Sequence, residues 1–249
     1  MRLPEVLEGL TGEESRAAGR KTVWHWAPAW MGGGTLVVRQ FAHGGLLGGL
    51  WGTVFPRAAP MLRELRVALH ARAESVLTCR PIALRIERVF GPLLRAHYLT
   101  QQVPESLNVL EMCRRAVQGS PPSPARRQVL AKAVAGTIAA MHEVGIRHGD
   151  LHVKNLLVTV QTEAPRAYVV DFKKARLRTE VSLREGLRNL VRLDRSVLKW
   201  PASREAITLT DRLRVLREYV RLRSGAAGDW KQLARRLRTG HAAHALTRK

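Results

Sequence analysis

The stretch HGDLHVKNLLV at 148–158, followed by VVDFKKAR at 169–176, limits this chain more than any other. Asp150 follows Gly149 and precedes an apolar run, so it belongs on a loop rather than inside a helix. A carboxylate on such a loop can accept the proton of an attacking hydroxyl. Asn155 offers a neutral oxygen and Asp171 a charged one, at the mouths of two expected strands, LLVTV (156–160) and AYVV (167–170), joined by a turn around Ala164–Pro165. Hard oxygen donors of this kind suit Mg²⁺, which keeps waters and takes its remaining ligands from substrate phosphates. His148 and His152 have H-x-x-x-H spacing, which on a helix could hold zinc. Gly149 and Asp150 argue against a helix, and a structural place beneath the loop is expected for His148.

Around this motif the chain changes character near residue 103. Before it, TVWHWAPAW (22–30) and TLVVRQF (35–41) read as a hairpin turned at MGGG, because glycine adopts positive φ without penalty. Residues 60–77 read as a helix opened by Pro60, with Leu62, Leu65, Leu69 and Val76 as its apolar stripe. IALRIERVFG and HYLTQQV read as two more strands. After SPPSPARRQ (120–128), residues 127–145 read as an amphipathic helix stopped by Gly145, with Leu130, Ala133, Val134, Thr137, Ile138 and Met141 inward. Residues 1–103 are therefore expected as a β-rich lobe with one helix, and 104–249 as a larger, mainly helical lobe.

The 249 residues carry a net charge of +22, which points to a polyanionic partner: nucleic acid, an anionic membrane surface or a phosphorylated substrate. Neither a zinc pattern nor an aromatic RNA-binding strand favours nucleic acid. No apolar run is long enough for a bilayer span, so peripheral membrane contact is expected. Cys79 and Cys113 lie far apart, consistent with free thiols in a reducing compartment.

The order Asp150, Asn155, strand, turn, strand, Asp171-Phe172 is that of the kinase set H-R-D-x-x-x-x-N and D-F-G, with Gly149 in place of the Arg and Lys173 in place of the final Gly. Together with AAGRKTVW (17–24), VVRQF, HGGLLGGLW (43–51) and NLVRLDRSVLKW (189–200), it resembles the lipopolysaccharide core kinases (Kdo/heptose kinases) of the protein-kinase-like superfamily, most closely the 3-deoxy-D-manno-octulosonic acid (Kdo) branch. The resemblance spans about residues 17 to 235. It implies an α+β, two-lobed protein-kinase-like fold that uses ATP and Mg²⁺ in the cleft, with Asp150 as the base and Asn155 and Asp171 as metal ligands. Arg39 would touch nucleotide phosphates, Glu64 would be its ion-pair partner, and Gly19, Arg20 and Lys21 would be the remnant of the nucleotide-covering loop. The family's usual basic residue before Gly-Gly is His43 here. The implied acceptor is an anionic glycolipid, Kdo on a lipid A precursor, met at the cytoplasmic side of the inner membrane. Heptose, protein and antibiotic acceptors, a catalytically silent kinase-like scaffold, and a basic nucleic-acid-binding protein without catalysis are the competing readings.

At 100° per residue, Arg188, Arg192, Arg195 and Lys199 form one stripe of a helix expected over 185–200, an anion- or membrane-facing ribbon opposite an apolar half. Asp194 falls in that apolar half. A carboxylate there needs donors, and backbone N–H groups of the catalytic loop near His148 and Gly149 are the expected ones.

Overall fold

The structure, a computed structural model, describes residues 14–15, 23–28, 31–42 and 52–224. Gly19, Arg20, Lys21, His43 and the Gly-Gly runs of 44–49 lie outside the described residues. The chain divides into two compact units, one holding the residues up to Leu69 with Cys79–Pro104, the other His70–Thr78 with the residues from Glu105 onward.

In the first unit, β1 (Glu14–Ser15), β2 (Val23–Trp26), β3 (Leu36–Gln40), β4 (Pro81–Phe90) and β5 (Leu93–Gln101) form an antiparallel sheet in the order β1-β2-β3-β5-β4. The MGGG turn between β2 and β3 places Gly32 at φ +57° and Gly33 at +91°, conformations that only glycine adopts freely. Alternation along the strands sends Leu36, Val38 and Leu99 into one apolar cluster, while Phe41, Phe55, Met61, Ala96 and Tyr98 form another.

Helix α1 (Ala59–Ala73) keeps the expected helical period but not the expected phase. Leu62 and Leu69 are 40% and 51% exposed, Leu65 packs against the core and Val76, beyond the helix end, is buried, while the fully inward line is Met61, Glu64, Val67, Ala68 and Ala71. The reason is Glu64. Its carboxylate is buried and receives the Arg39 guanidinium of β3 at 2.5 Å, so the helix turns an acid rather than a leucine toward the sheet. Arg39 also lies over the rings of Phe41 and Tyr98, at 4.9 and 5.7 Å from their centroids.

The second unit contains β6 (Ser106–Asn108), α2 (Val109–Gln118), α3 (Pro124–Glu143), β7 (Ile146–Arg147), β8 (Leu156–Thr159), β9 (Ala167–Val169), β10 (Arg176–Leu177), α4 (Leu183–Lys199), α5 (Pro201–Ala206) and α6 (Leu209–Ser224). Local chemistry sets the helix ends. Asn108 and Ser123 accept N–H groups at the starts of α2 and α3, and Ser182 and Glu185 form a reciprocal capping box at the start of α4. Thr137 donates to the Ala167 carbonyl at 2.8 Å and so ties α3 to β9. An apolar cavity of about 170 Å³ lies among α2, α3, α4 and α6, and neither Asp150, Asn155 nor Asp171 contributes to its wall. Among the described residues, no helix is long and apolar enough to cross a membrane.

Two glycines make a controlled comparison. Gly136 lies inside α3 with open space where a Cβ would be, whereas Gly145 ends that helix at φ +76° and a Cβ there would overlap the Arg178 carbonyl. Gly136→Ala should stabilise the protein by about 1 kcal/mol. Gly145→Ala should destabilise it by about 2 kcal/mol or more. Urea unfolding of the two variants checks both signs.

Candidate active site

Strands β7, β8, β9 and β10 are antiparallel partners in two short ladders. Leu156 pairs with Val169 in β8–β9, and Arg147 pairs with Arg176 in β7–β10. The chain therefore runs as one long hairpin whose middle opens into two facing loops, 148–155 and 170–175. Both ends of each loop are fixed by a ladder, so their side chains are brought together by backbone pairing.

His148 spans the opening. It is fully buried beside Phe172, with the ring centroids 5.6 Å apart. Its Nδ1 accepts the Asp150 N–H at 3.1 Å, which leaves Nε2 protonated to donate to the Val170 carbonyl at 3.1 Å. Burial pushes its pKa below the usual histidine range, against the pull of the Val170 bond and of Asp171 and Asp150. Val170 N–H donates to the Asn155 carbonyl at 3.0 Å, a further tie between the loops. Gly149 packs so closely on the opposite loop that a Cβ would overlap the Lys174 carbonyl.

Asp150, Asn155 and Asp171 accordingly lie on the two facing loops. Asn155, almost fully buried, donates its side-chain N–H to the Asp150 carbonyl at 2.9 Å, so its amide oxygen lies on the other side of the same planar group. Asp171 adopts φ 66°, ψ 67°, left-handed backbone that Asp tolerates better than most residues. The donor set of one amide oxygen and one carboxylate fits a hard cation that completes its shell with water and phosphate.

Asp150 meets cations on both carboxylate oxygens. Lys174 Nζ is 2.9 Å from Oδ2, and Arg192 Nη1 of α4 is 3.4 Å from Oδ1. Burial works to raise the Asp150 pKa. The hydrogen bond and charge of Lys174, with His152 and Arg192 adding to them, outweigh it and hold the group below its ordinary value. His152 accepts the Lys154 N–H at 3.3 Å and caps the turn Val153–Asn155. Burial lowers its pKa first, and Lys154 also does so.

Helix α4 underpins the 148–155 loop, but not through Asp194. The Asp194 carboxylate is bound by the Arg212 guanidinium of α6, through Nε and through Nη2 at 2.7 Å, so its donors are a side chain rather than loop N–H groups. The expected role is carried by Asn189, whose Oδ1 accepts the His148 N–H at 3.1 Å, and by Ser196, whose hydroxyl accepts the Val153 N–H at 3.0 Å. Asn189 Oδ1 also lies 3.1 Å from His142 Nε2, and His142 Nδ1 accepts the Tyr219 hydroxyl at 2.8 Å. The sequence signal for Asn189 is its position three residues after Gly186 and four before Leu193, both buried on the same face.

Of the expected cationic stripe, Arg188, Arg195 and Lys199 are exposed, and Arg192 turns to Asp150. Lys154 Nζ sits 4.1 Å and Lys199 Nζ 5.4 Å from the centroid of the Trp200 ring. Burial, then the charges of Arg114 and Lys199, lower the Lys154 pKa. Arg39 and Glu64 pair with one another in the sheet unit, as described above. Sequence reasoning missed Lys174 as a partner of Asp150, because a pairing 24 positions apart leaves no periodic trace.

The structure is similar in fold to the solved structure of WaaP in complex with acyl carrier protein, with a TM-score of 0.60 at 20% identity, covering 95% of this chain and 93% of that one. The fold is thus the two-lobed kinase-like one. The profile of the lipopolysaccharide kinase (Kdo/WaaP) family matches residues 32–219, and the chain belongs to that family. It is 29% identical over 188 residues to a 3-deoxy-D-manno-octulosonic acid kinase of Vibrio cholerae serotype O1, covering 74% of this chain and 72% of the relative. It is 26% identical over 190 residues to a kinase of the same name from Vibrio parahaemolyticus, covering 74% and 71%.

The Tyr219–His142–Asn189–His148 chain has a pH signature. Burial lowers the His142 pKa from 6.5 to about 4, against the raising effect of its Asn189 bond. Because the unfolded chain binds that proton more readily, the contribution is fully present above pH 6.5 and is lost as pH falls toward 4. It should amount to something on the order of 3 kcal/mol, with His148 shifting in the same direction. Urea midpoints measured from pH 7 to 4 should fall across that window. In His142→Gln the protein should be weaker overall and the slope flatter.

Proposed function

We propose that this protein transfers the terminal phosphoryl group of ATP to a hydroxyl of a lipopolysaccharide inner-core sugar, Kdo carried on a lipid A precursor. The observation that carries the reading is that Asp150 and Asn155 lie on one loop and Asp171 on another, the two loops cross-tied by His148, in a member of the lipopolysaccharide kinase family. The names of the relatives from the two Vibrio species direct the acceptor toward Kdo.

Asp150 is the base. It stays ionised at neutral pH, orients the sugar hydroxyl and takes its proton as the new P–O bond forms and the bond to ADP breaks. Asn155 and Asp171 hold Mg²⁺, which when bound offsets the charge of the phosphates. Arg39, fixed by Glu64, is assigned to the nucleotide phosphates, where a guanidinium can grip two oxygens. Gly19, Arg20 and Lys21 are assigned to the nucleotide-covering loop. The net charge of +22 and the exposed Arg188, Arg195 and Lys199 suit an enzyme that works peripherally at an anionic membrane, the cytoplasmic face of the inner membrane.

The test is incubation of the purified protein with labelled ATP and Mg²⁺ and, in parallel, Kdo-bearing lipid A precursor, heptosylated core and a generic protein substrate. Mass spectrometry then reads which acceptor gains a phosphate. The Kdo-bearing precursor should be the one phosphorylated, and transfer to heptose or protein alone would overturn the assignment. Asp150→Ala should lower turnover by about two to four orders of magnitude with the melting temperature little changed. Near-wild-type turnover would remove Asp150 from the chemistry.

A further inference from the structure

The proposed base is flanked by two cations that arrive from different elements. Lys174 comes from the loop that carries Asp171 and meets Asp150 Oδ2, while Arg192 comes from α4 and meets Oδ1. Their side chains remain 64% and 55% exposed, so both head groups can turn to an incoming ligand without leaving a buried site empty.

A hydroxyl that gives its proton to Asp150 must come within hydrogen-bond distance of that carboxylate. It therefore arrives beside both cations, and Arg192 is the planar one of the two. A neutral polyol offers this guanidinium only weak partners. A sugar acid whose carboxylate lies a few bonds from the reacting hydroxyl offers it a planar, charge-matched one. Lys174 lies three residues beyond Asp171, on the loop assigned to the phosphate side. Arg192 lies on the helix that also supplies Asn189 and Ser196 beneath the catalytic loop. The two cations thus reach the base from different elements and on different carboxylate oxygens, and with Lys174 assigned to the phosphate side Arg192 is left for the acceptor.

We infer that Arg192 is a specificity-determining residue that exchanges Asp150 for the carboxylate of the acceptor sugar, so that the site selects an acidic sugar over a neutral one. This rests on the phosphotransferase reading above and assigns a substrate feature to a particular side chain.

The test compares wild type, Arg192→Gln and Arg192→Lys on two acceptors in neutral detergent micelles, where membrane charge plays no part. One acceptor is Kdo-bearing lipid A precursor, and the other is the same molecule with its Kdo carboxyl reduced to the alcohol. Wild type should prefer the acid by about 10- to 100-fold in kcat/KM, mainly through KM. Arg192→Gln should lose more on the acid than on the alcohol, with the excess loss in KM and Kd so that the preference disappears, and Arg192→Lys should restore part of it. An equal loss on both acceptors would show that Arg192 acts only through Asp150 and would overturn the inference, as would a wild type that does not discriminate. Calorimetric Kd values for the same pairs decide the carboxylate question independently. If neither acceptor gains a phosphate, the proposed activity fails, while a carboxylate- and Arg192-dependent Kd would still uphold the recognition and its absence would still overturn it.

Discussion

The hydrogen bonds that His148 makes across the opened hairpin are the constraint on which the site depends. One ring nitrogen holds the N–H of Asp150, and the other holds the carbonyl that precedes Asp171. The two ladders fix where the loops begin and end, and the imidazole fixes how far apart they stand between those points. A ring held by two backbone groups has one usable tautomer and one orientation. It serves that purpose only while neutral, and burial favours the neutral form by lowering its pKa.

Behind the ring, the polar chain continues through Asn189 and His142 to Tyr219, so the 148–155 loop is referenced to α3, α4 and α6 together. Such a chain is costly to build in an apolar interior unless every member is matched. Here the matching is close enough that Gly186 cannot carry a side chain, since a Cβ would overlap the Tyr219 hydroxyl. Asp194, the residue of this helix that most invites a functional reading, is satisfied instead by Arg212 and serves to join two helices.

Much of this was legible in the sequence because it is local. The strand–turn–strand spacing between Asn155 and Asp171 forces those two residues to one end of a hairpin, and the β8–β9 register is that hairpin. The glycine turn after β2 and the stop at Gly145 follow from backbone conformation alone. Periodicity was less informative where polar residues turn inward. It sets the period of α1 but not its phase, because a buried ion pair outweighs two leucines at the edge of the stripe. It marks one face of α4 as buried without saying whether Asn189 or Asp194 reaches the loop, since that depends on where α6 brings Arg212. The pairings of Asp150 with Lys174 and Arg192 join residues far apart in sequence and have no local signature.

The contact at Gly149 bears on how such a loop can change over time. Many kinases place an arginine immediately before the catalytic aspartate, yet here the neighbouring backbone occupies the volume that its first carbon would need. An arginine at 149 would therefore have to displace the Lys174 backbone, so the glycine here sets the spacing of the two loops as well as the turn.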